Sequence, residues 1–205
     1  MNILAIDTSV GVSVAILRRN GEVTQSQPVD HGMQGELTAE LISQVVIDSG
    51  LEIHEITDVV VGVGPGPFTG LRVGLVTAAV FAHARAIPIH GICSLDSVAF
   101  DFTKPCVVVT DARRKELYWA RYDGKRTSEP QVSKPEDLLA QFPVSEFVGP
   151  GAQLYPDSIS GQVIELKASS LAKLFATGSA HLVAVSPMYL RKPDAVEPTT
   201  RKSVL

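Results

Sequence analysis

Two acidic residues follow short apolar segments of this 205-residue sequence, at positions where they could bind a phosphate group or a metal ion. Asp7 comes directly after Ile3–Ile6 and begins a polar stretch with Thr8 and Ser9, and Asp111 follows a similar apolar segment. In α/β folds, ligands bind at the carboxyl ends of strands. Asp7, Thr8, Ser9 and Asp111 therefore predict a nucleotide cleft, with the two acids facing each other. Acids at strand ends are also common in proteins that bind no nucleotide, so both interpretations stay open.

A loop rich in glycine and proline spans residues 64–70, with the sequence GPGPFTG. No Lys-Ser/Thr pair follows this loop, so it is not a P-loop, and its glycine spacing is one residue off the dinucleotide fingerprint. Pro65 and Pro67 lack the N–H groups that a phosphate cradle uses. We therefore expect a rigid turn between a strand and a helix.

The histidines and cysteines form no recognisable catalytic or metal-binding pattern. None of the five histidines belongs to an H-x-x-x-H or H-E-x-x-H pair, and the G-x-S-x-G elbow of serine hydrolases is missing. Cys93 and Cys106 lie in apolar segments, which predicts buried free thiols. The basic sequence Arg113-Arg114-Lys115 is typical of a solvated turn, and an RNA contact within a larger assembly is the alternative. We expect no metal and no cofactor.

Composition and charge exclude several classes of protein. The chain has 18 Lys plus Arg against 22 Asp plus Glu, and this acidic balance argues against a surface that binds long stretches of nucleic acid. Its N-terminus has no positively charged segment typical of a signal peptide. The most apolar stretch, Val73–Ala84, is shorter than the roughly 20 residues that span a bilayer. We expect a cytoplasmic protein with no membrane contact.

The hydrophobic pattern predicts an α/β fold built from a duplicated β-β-β-α-β-α unit. The first unit is predicted as strands and helices at Ile3–Ile6, Ser13–Arg18, Val23–Val29, Glu36–Ser49, Val59–Val63, Leu71–Arg85 and Ile89–Cys93, followed by a short helix capped by Ser94. The second unit is predicted at Val107–Thr110, Leu117–Tyr122, Pro135–Gln141, Glu146–Val148 and Ser169–Thr177. Asn20-Gly21 predicts a type I′ hairpin turn, and the residues after Pro187 predict an extended, partly mobile tail. We place residues 1–103 in an N-terminal subdomain and residues 104–205 in a smaller, degenerate one with the tail.

The predicted helix over Leu71–Arg85 is apolar on nearly all sides. Gly74, Ala78 and Ala82 form a row of small residues at i, i+4 and i+8, which would allow another helix to approach closely. A helix that is apolar all round is buried all round. Either the Glu36–Ser49 helix covers its outer face or a partner chain does, and the second interpretation is favoured.

Four segments of the sequence resemble the TsaB (YeaZ) family. These segments are Ile3–Ser9, Gly64–Gly74, Asp111–Arg114 and Pro187–Arg191. The resemblance covers essentially the whole chain and is most specific at residues 64–74, where Pro67 replaces the usual serine of the family. It implies an actin-like ATPase (ASKHA) fold with two ribonuclease-H-like subdomains.

The resemblance also implies an activity that depends on partners. Proteins of this family dimerise through their first two helices with TsaD, the metal-dependent catalytic paralogue that transfers a threonylcarbamoyl group to the adenosine next to the anticodon of tRNA. A TsaE-like ATPase binds the pair, and tRNA is reached only through the complex. The alternative function is a self-sufficient actin-like ATPase or kinase that uses Asp7 and Asp111.

The comparison with TsaD implies a chain without a catalytic centre of its own. TsaD carries two metal-binding histidines four residues apart, and Ser94 and Val98 stand at those positions here. Neither side chain supplies an imidazole nitrogen. The chain is therefore expected to be a scaffold, with an interface formed by Leu37, Leu41, Val45, Leu71, Leu75, Ala78 and Ala82. The same surface would allow a homodimer in isolation.

Overall fold

The structure of this chain is a computed structural model that describes residues 1–26 and 34–191. Its fold consists of two β-sheets with helices packed on their faces. The elements of the first half are β1 (Ile3–Asp7), β2 (Ser13–Leu17), β3 (Val23–Gln25), α1 (Gln34–Ser49), a 3₁₀ turn (Ile53–Glu55), β4 (Asp58–Gly62), α2 (Phe68–Arg85), β5 (Ile89–Ile92) and α3 (Ser94–Phe100). Those of the second half are β6 (Cys106–Asp111), β7 (Leu117–Asp123), β8 (Lys125–Arg126), β9 (Gln131–Ser133), α4 (Pro135–Gln141), β10 (Glu146–Val148), α5 (Ala168–Ala176) and β11 (Leu182–Val183).

The two sheets repeat one arrangement of strands. The first sheet has the order β11-β5-β4-β1-β2-β3, with β1 antiparallel to β2 and parallel to β4. In the second sheet, β6 is likewise antiparallel to β7 and parallel to β10. Each half thus starts with a hairpin and adds a later strand beside the first one. The predicted α/β fold with a duplicated unit is confirmed.

The first sheet is covered on both faces, which explains why its central strands are continuous apolar runs. Leu4 and Ile6 of β1 pack in a core with residues of α1 and α2. Ile3 and Ala5, which alternate with them, pack against α5 on the opposite face. All four side chains are fully buried.

Helix α5 and strand β11 come late in the sequence but belong to the first sheet. The α5 residues Leu171 and Ala172 lie in the core with Ile3, and β11 pairs with β5. The N–H of Ala168 donates to Ser13 Oγ across 3.0 Å. The chain therefore returns to the first sheet after the second sheet is complete, and residues beyond 104 contribute to both sheets. The subdomain boundary at residues 103/104 stays a prediction.

The structure differs from the sequence predictions at several turns and element ends. Asn20 does not have a positive φ, whereas Gly21 does at 86°, so the predicted type I′ turn is wrong. The N–H of Gly21 donates instead to the Arg18 carbonyl, as in a type I turn followed by a left-handed glycine. Cys93, not Ser94, precedes the first residue of α3. Strand β3 ends at Gln25, and the rest of its predicted range, from residue 27 to 29, lies outside the described residues.

Two further observations bear on the predicted class of protein. Cys93 and Cys106 are free and buried, as predicted. Within the described part of the chain, no helix has the length and apolar content needed to cross a membrane.

Candidate functional site

Asp7 ends strand β1 in a closed environment. Its side chain is 1% exposed, and Oδ1 accepts hydrogen bonds from the Ser9 N–H at 2.8 Å and from the Ser9 hydroxyl at 2.6 Å. Oδ2 is buried and has no hydrogen-bond partner among the described residues. Burial raises the pKa of the Asp7 carboxyl, and the nearby hydroxyl groups of Ser9 and Ser94 oppose that rise.

The glycine-rich loop and helix α2 close this environment by lying directly on Thr8 and Ser9. The Thr8 hydroxyl donates to the Gly70 carbonyl at 2.8 Å. A Cβ added to Gly74 would lie 2.2 Å from Thr8 Oγ1, and one added to Gly66 would lie 2.8 Å from Ser9 Cα. The glycines are therefore needed for close packing between backbone and side chains. The loop leads from β4 into α2 as the predicted turn, and it covers the polar residues that the sequence suggested for a nucleotide.

Asp111 occupies the corresponding position at the end of β6, but its surroundings are open. Its side chain is 31% exposed, and Oδ2 lies 3.2 Å from Arg113 Nη1. Oδ1 accepts a hydrogen bond from the Arg113 N–H at 2.7 Å. Arg113, Arg114 and Lys115 all have positive φ, at 62°, 55° and 59°. The predicted solvated turn is thus a strained left-handed turn whose first side chain neutralises Asp111.

The last described residues contact both halves of the chain, which the sequence did not predict. Tyr189 stacks on Phe68 with 4.9 Å between ring centroids, and the guanidinium carbon of Arg72 lies 3.7 Å from the Phe68 ring centroid. Arg72 Nε donates to the Tyr189 hydroxyl at 2.8 Å. Arg191 pairs with the carboxylate of Glu116 in the β6–β7 turn. Residues 188–191 of the predicted extended, partly mobile tail are therefore held against the fold, and the residues after Arg191 lie outside the described range.

The helix face predicted to bind a partner packs inside this chain instead. Leu75, Ala78 and Ala82 belong to the core beside the first sheet, together with Val45 of α1. Leu71 is also fully buried. The small-residue row that suggested another helix fits the chain's own structure, since Gly74 packs on Thr8. The two remaining members of the predicted interface, Leu37 and Leu41, are half-buried.

The outward face of α2 carries valines that helical periodicity alone does not distinguish from the buried apolar residues. Val76 is 61% exposed and Val80 is 62% exposed, four residues apart on one face of the helix. Helix α1 packs beside α2 and presents Ile47, which is 71% exposed. Three large aliphatic side chains on two adjacent helices are therefore left in solvent. We call Ile47, Val76 and Val80 the outer aliphatic set.

Ser94 and Val98, the positions that the family resemblance matches to the TsaD histidines, lie on α3 and are closed to a metal ion. Ser94 and Val98 are fully buried, and Ser94 Oγ accepts a hydrogen bond from the Gly64 N–H at 3.1 Å. Val98 packs in an apolar core. Among residues 1–26 and 34–191, no group of three or more His, Cys, Asp or Glu side chains could hold a metal ion.

Comparison with known proteins shows the family to which the chain belongs. The sequence model described as TsaD, tRNA N6-adenosine threonylcarbamoyltransferase, matches residues 35–200. The Haemophilus influenzae protein named tRNA threonylcarbamoyladenosine biosynthesis protein TsaB is 32% identical over 161 residues, covering 69% of this chain and 68% of the relative. The chain belongs to the TsaD family, in its TsaB (YeaZ) branch.

Other relatives differ in length and in how they are named. An uncharacterised protein of Mycobacterium tuberculosis is 39% identical over 202 residues, covering 94% of this chain and 93% of the relative. An uncharacterised protein of Mycobacterium leprae is 38% identical over 200 residues, and the chain spans only about half of its length, 55%. The solved structure of YeaZ from Pseudomonas aeruginosa superposes with a TM-score of 0.76 at 21% identity, covering 92% of this chain and 99% of that one. The actin-like fold expected from the resemblance is confirmed.

Proposed function

We propose that this chain is a scaffold subunit that binds and activates a TsaD-like transferase in the threonylcarbamoyladenosine modification of tRNA. The family match and the names of the TsaB relatives support the pathway. The observation that carries the scaffold role is the outer aliphatic set, because exposed aliphatic side chains on adjacent helices are typical of a protein-binding surface. The partner surface that we propose is therefore the outward face of α1 and α2.

A scaffold role fits the chemistry of helix α3. The family's metal histidines are replaced by Ser94 and Val98, which are buried and have no imidazole. In the proposed complex, the TsaD-like paralogue supplies the metal and the transfer chemistry, and a TsaE-like ATPase binds the pair. Substrate tRNA is reached through the complex in the cytoplasm, and the acidic balance of this chain agrees with a minor direct contact to RNA at most.

The ATPase alternative has no comparable support. Asp7, Thr8 and Ser9 are each at most 3% exposed. Their side-chain oxygens bond to one another or to the first turn of α2, apart from Asp7 Oδ2, which has no hydrogen-bond partner among the described residues. A nucleotide phosphate would have to displace the glycine-rich loop to reach them. Calorimetric titration of the isolated chain with Mg-ATP is expected to show no binding.

The scaffold proposal is tested by light scattering after size exclusion, with the chain alone and mixed with the TsaD-like paralogue of its host. The wild-type chain is expected to form a heterodimer. The double variant Val76→Asp and Val80→Asp should weaken this association by at least about tenfold, because two charges would be desolvated without partners. The matched control is Val144→Asp, since Val144 is a valine of the second half that is 96% exposed.

The control variant should associate as the wild type does. Equal association of the double variant and the control would show that the outer aliphatic set is not the interface. A wild-type chain that ignores the paralogue would overturn the scaffold role itself. Leu75→Asp, which the periodicity of the sequence suggests, is unsuitable here, because Leu75 is 6% exposed and the charge would unfold the core.

A further inference from the structure

A large cavity lies near the opposite end of strand β6 from Asp111. It has a volume of about 890 Å³ and opens between α3, the β7–β8 hairpin and the segment that follows α5. Its wall includes Tyr122, which pairs with Cys106 at the start of β6, whereas Asp111 lies at the end of that strand. At about 3.4 Å per residue, five residue steps place the two positions roughly 17 Å apart. The cavity is therefore separate from the Asp7 and Asp111 corners.

A buried ion pair forms the floor of this cavity. Arg126 Nη1 lies 3.2 Å from Asp96 Oδ1, and each side chain is 9% exposed. The Tyr122 hydroxyl donates to the same Asp96 oxygen at 2.7 Å. Burial raises the pKa of the Asp96 carboxyl, and the adjacent Arg126 guanidinium opposes that rise.

Arg126 keeps unused hydrogen-bonding capacity in this position. A guanidinium carries five N–H donors, and the described residues offer partners only to Nη1, through the two oxygens of Asp96. A buried ion pair offsets its desolvation cost best when its remaining donors also find partners. Arg126 lines the cavity together with Glu129, and its Nε and Nη2 form no hydrogen bond with a described residue.

The rim of the cavity carries two lysines, and its walls add apolar surface. Lys104 and Lys125 are exposed at its edge, where Glu129 also lines the rim and Lys104 Nζ lies 3.9 Å from Glu146 Oε1. Together with the Asp96–Arg126 pair and Glu146, these groups carry no net charge when His181 is neutral, so the attraction for an anion comes from the placement of Arg126 and Lys125. Phe100 and Phe102 also line the space. A ligand that fits has an anionic group for the floor and rim and an apolar body for the walls.

We propose that this cavity binds a small organic oxyanion, a carboxylate or a phosphate ester attached to an apolar or aromatic body. Arg126 binds the oxyanion through its free donors, in the planar geometry that suits carboxylate and phosphate groups. Asp96 and Tyr122 fix the guanidinium in place, and Lys125 attracts the anion at the rim. This site lies outside the proposed scaffold function and needs no partner chain.

The test uses isothermal titration of the full chain with benzoate and with phenyl phosphate at constant ionic strength. Arg126→Lys should weaken binding by about tenfold, because a lysine cannot reproduce the two-point contact. Asp96→Asn should strengthen binding, because it removes a carboxylate beside the anion and keeps a hydrogen-bond acceptor for Tyr122. Arg121→Lys is the matched control, since Arg121 is an exposed arginine outside the cavity lining.

The two single changes at the floor move affinity in opposite directions only if the oxyanion sits on Arg126. No binding of either probe at millimolar concentration would overturn the proposal, as would equal binding by wild type, Arg126→Lys and Asp96→Asn. Lys125→Gln changes an exposed side chain and should weaken binding even where Arg126→Lys fails to fold. The stronger of the two probes identifies the preferred oxyanion. All titrations use the chain alone, so their failure leaves the heterodimer proposal untouched.

Discussion

Asp7 and Asp111 lie at equivalent positions in the two repeated units, but their surroundings differ. Asp7 is enclosed, with Ser9 on one oxygen and the glycine-rich loop above it. Asp111 is one-third exposed and is paired with the first residue of a left-handed turn. Duplication thus preserved the strand-end acid and not its environment. The difference arises from α2, because only the first unit places a long helix with close-packed glycines beside the strand end.

The largest effect expected from this comparison is at the contact between α2 and Thr8. Gly74→Ala would place a Cβ 2.2 Å from Thr8 Oγ1 and 3.0 Å from Thr8 Cγ2, so it should destabilise the fold by several kcal/mol, on the order of an overpacked core. Thr8→Ala removes both atoms and should restore most of that loss. Urea unfolding of the two single variants and the double variant measures the coupling.

The control for this cycle is Gly124→Ala in the second unit. A Cβ on Gly124 meets nothing within 4 Å, although the φ of 66° adds strain, so its cost should stay near 1 kcal/mol. Additive effects of Gly74→Ala and Thr8→Ala would mean that the close contact does not limit packing at the Asp7 corner.

The next prediction concerns the pH dependence that the buried corner imposes. Burial raises the pKa of Asp7 in the folded state, so protonated Asp7 stabilises the fold. This stabilisation is fully present below the pKa of the unfolded chain, near 3.8. That contribution is lost as the pH rises through the folded pKa. Asp7→Asn should therefore flatten the fall in stability above pH 4, measured by urea unfolding at several pH values.

Ser9→Ala tests the same pH dependence by raising the pKa of Asp7 further. It removes a hydroxyl that lowers the Asp7 pKa, so the decline in stability should extend to higher pH than in the wild type. Profiles of Asp7→Asn and wild type that run parallel would show that Asp7 is ionised in the folded state despite its burial.

A smaller effect is expected at the open corner. Asp111→Ala removes an exposed ion pair and the hydrogen bond to the Arg113 N–H, so it should cost about 1 kcal/mol of unfolding free energy. Its urea midpoint should shift less than that of Gly74→Ala. A loss as large as that of the buried contact would mean that Asp111 supports more of the fold than its exposure indicates.

The smallest predicted effect has the opposite sign. Lys115 has a φ of 59°, a conformation that glycine adopts without steric strain. Lys115→Gly should stabilise the chain by less than about 1 kcal/mol, because the gain is offset by greater freedom in the unfolded state. The neighbouring substitution Glu116→Gly should destabilise, because it adds freedom to the unfolded chain without relieving a positive φ and also removes the ion pair with Arg191. A destabilised Lys115→Gly would show that the left-handed turn is not strained.

Most strands, helices and the repeat could be predicted from the sequence, because both depend on local hydrophobic spacing. Pro135–Gln141 and Glu146–Val148 have the predicted ends. The outward side of α2 could not be predicted, since apolar residues surround that helix and give its periodicity no direction. Val76 and Val80 are as apolar as the buried Leu75, and only the position of the sheet separates them.

The cavity floor was missed for a different reason. Asp96 and Arg126 are 30 residues apart on a helix and a hairpin, so no spacing rule relates them. The contact exists because α3 packs against β6 and β7. Contacts across the fold such as this one depend on topology, which the local pattern of a single sequence leaves open.

The anchoring of residues 188–191 has a kinetic consequence. The Met188 N–H donates to the Val63 carbonyl, Tyr189 stacks on Phe68 and Arg191 pairs with Glu116. A rotation of one sheet against the other would have to break the aromatic stack or the ion pair. Residues 188–191 therefore link the two halves, and the exchange rate of the Met188 amide proton with solvent measures how often this segment is released from Val63.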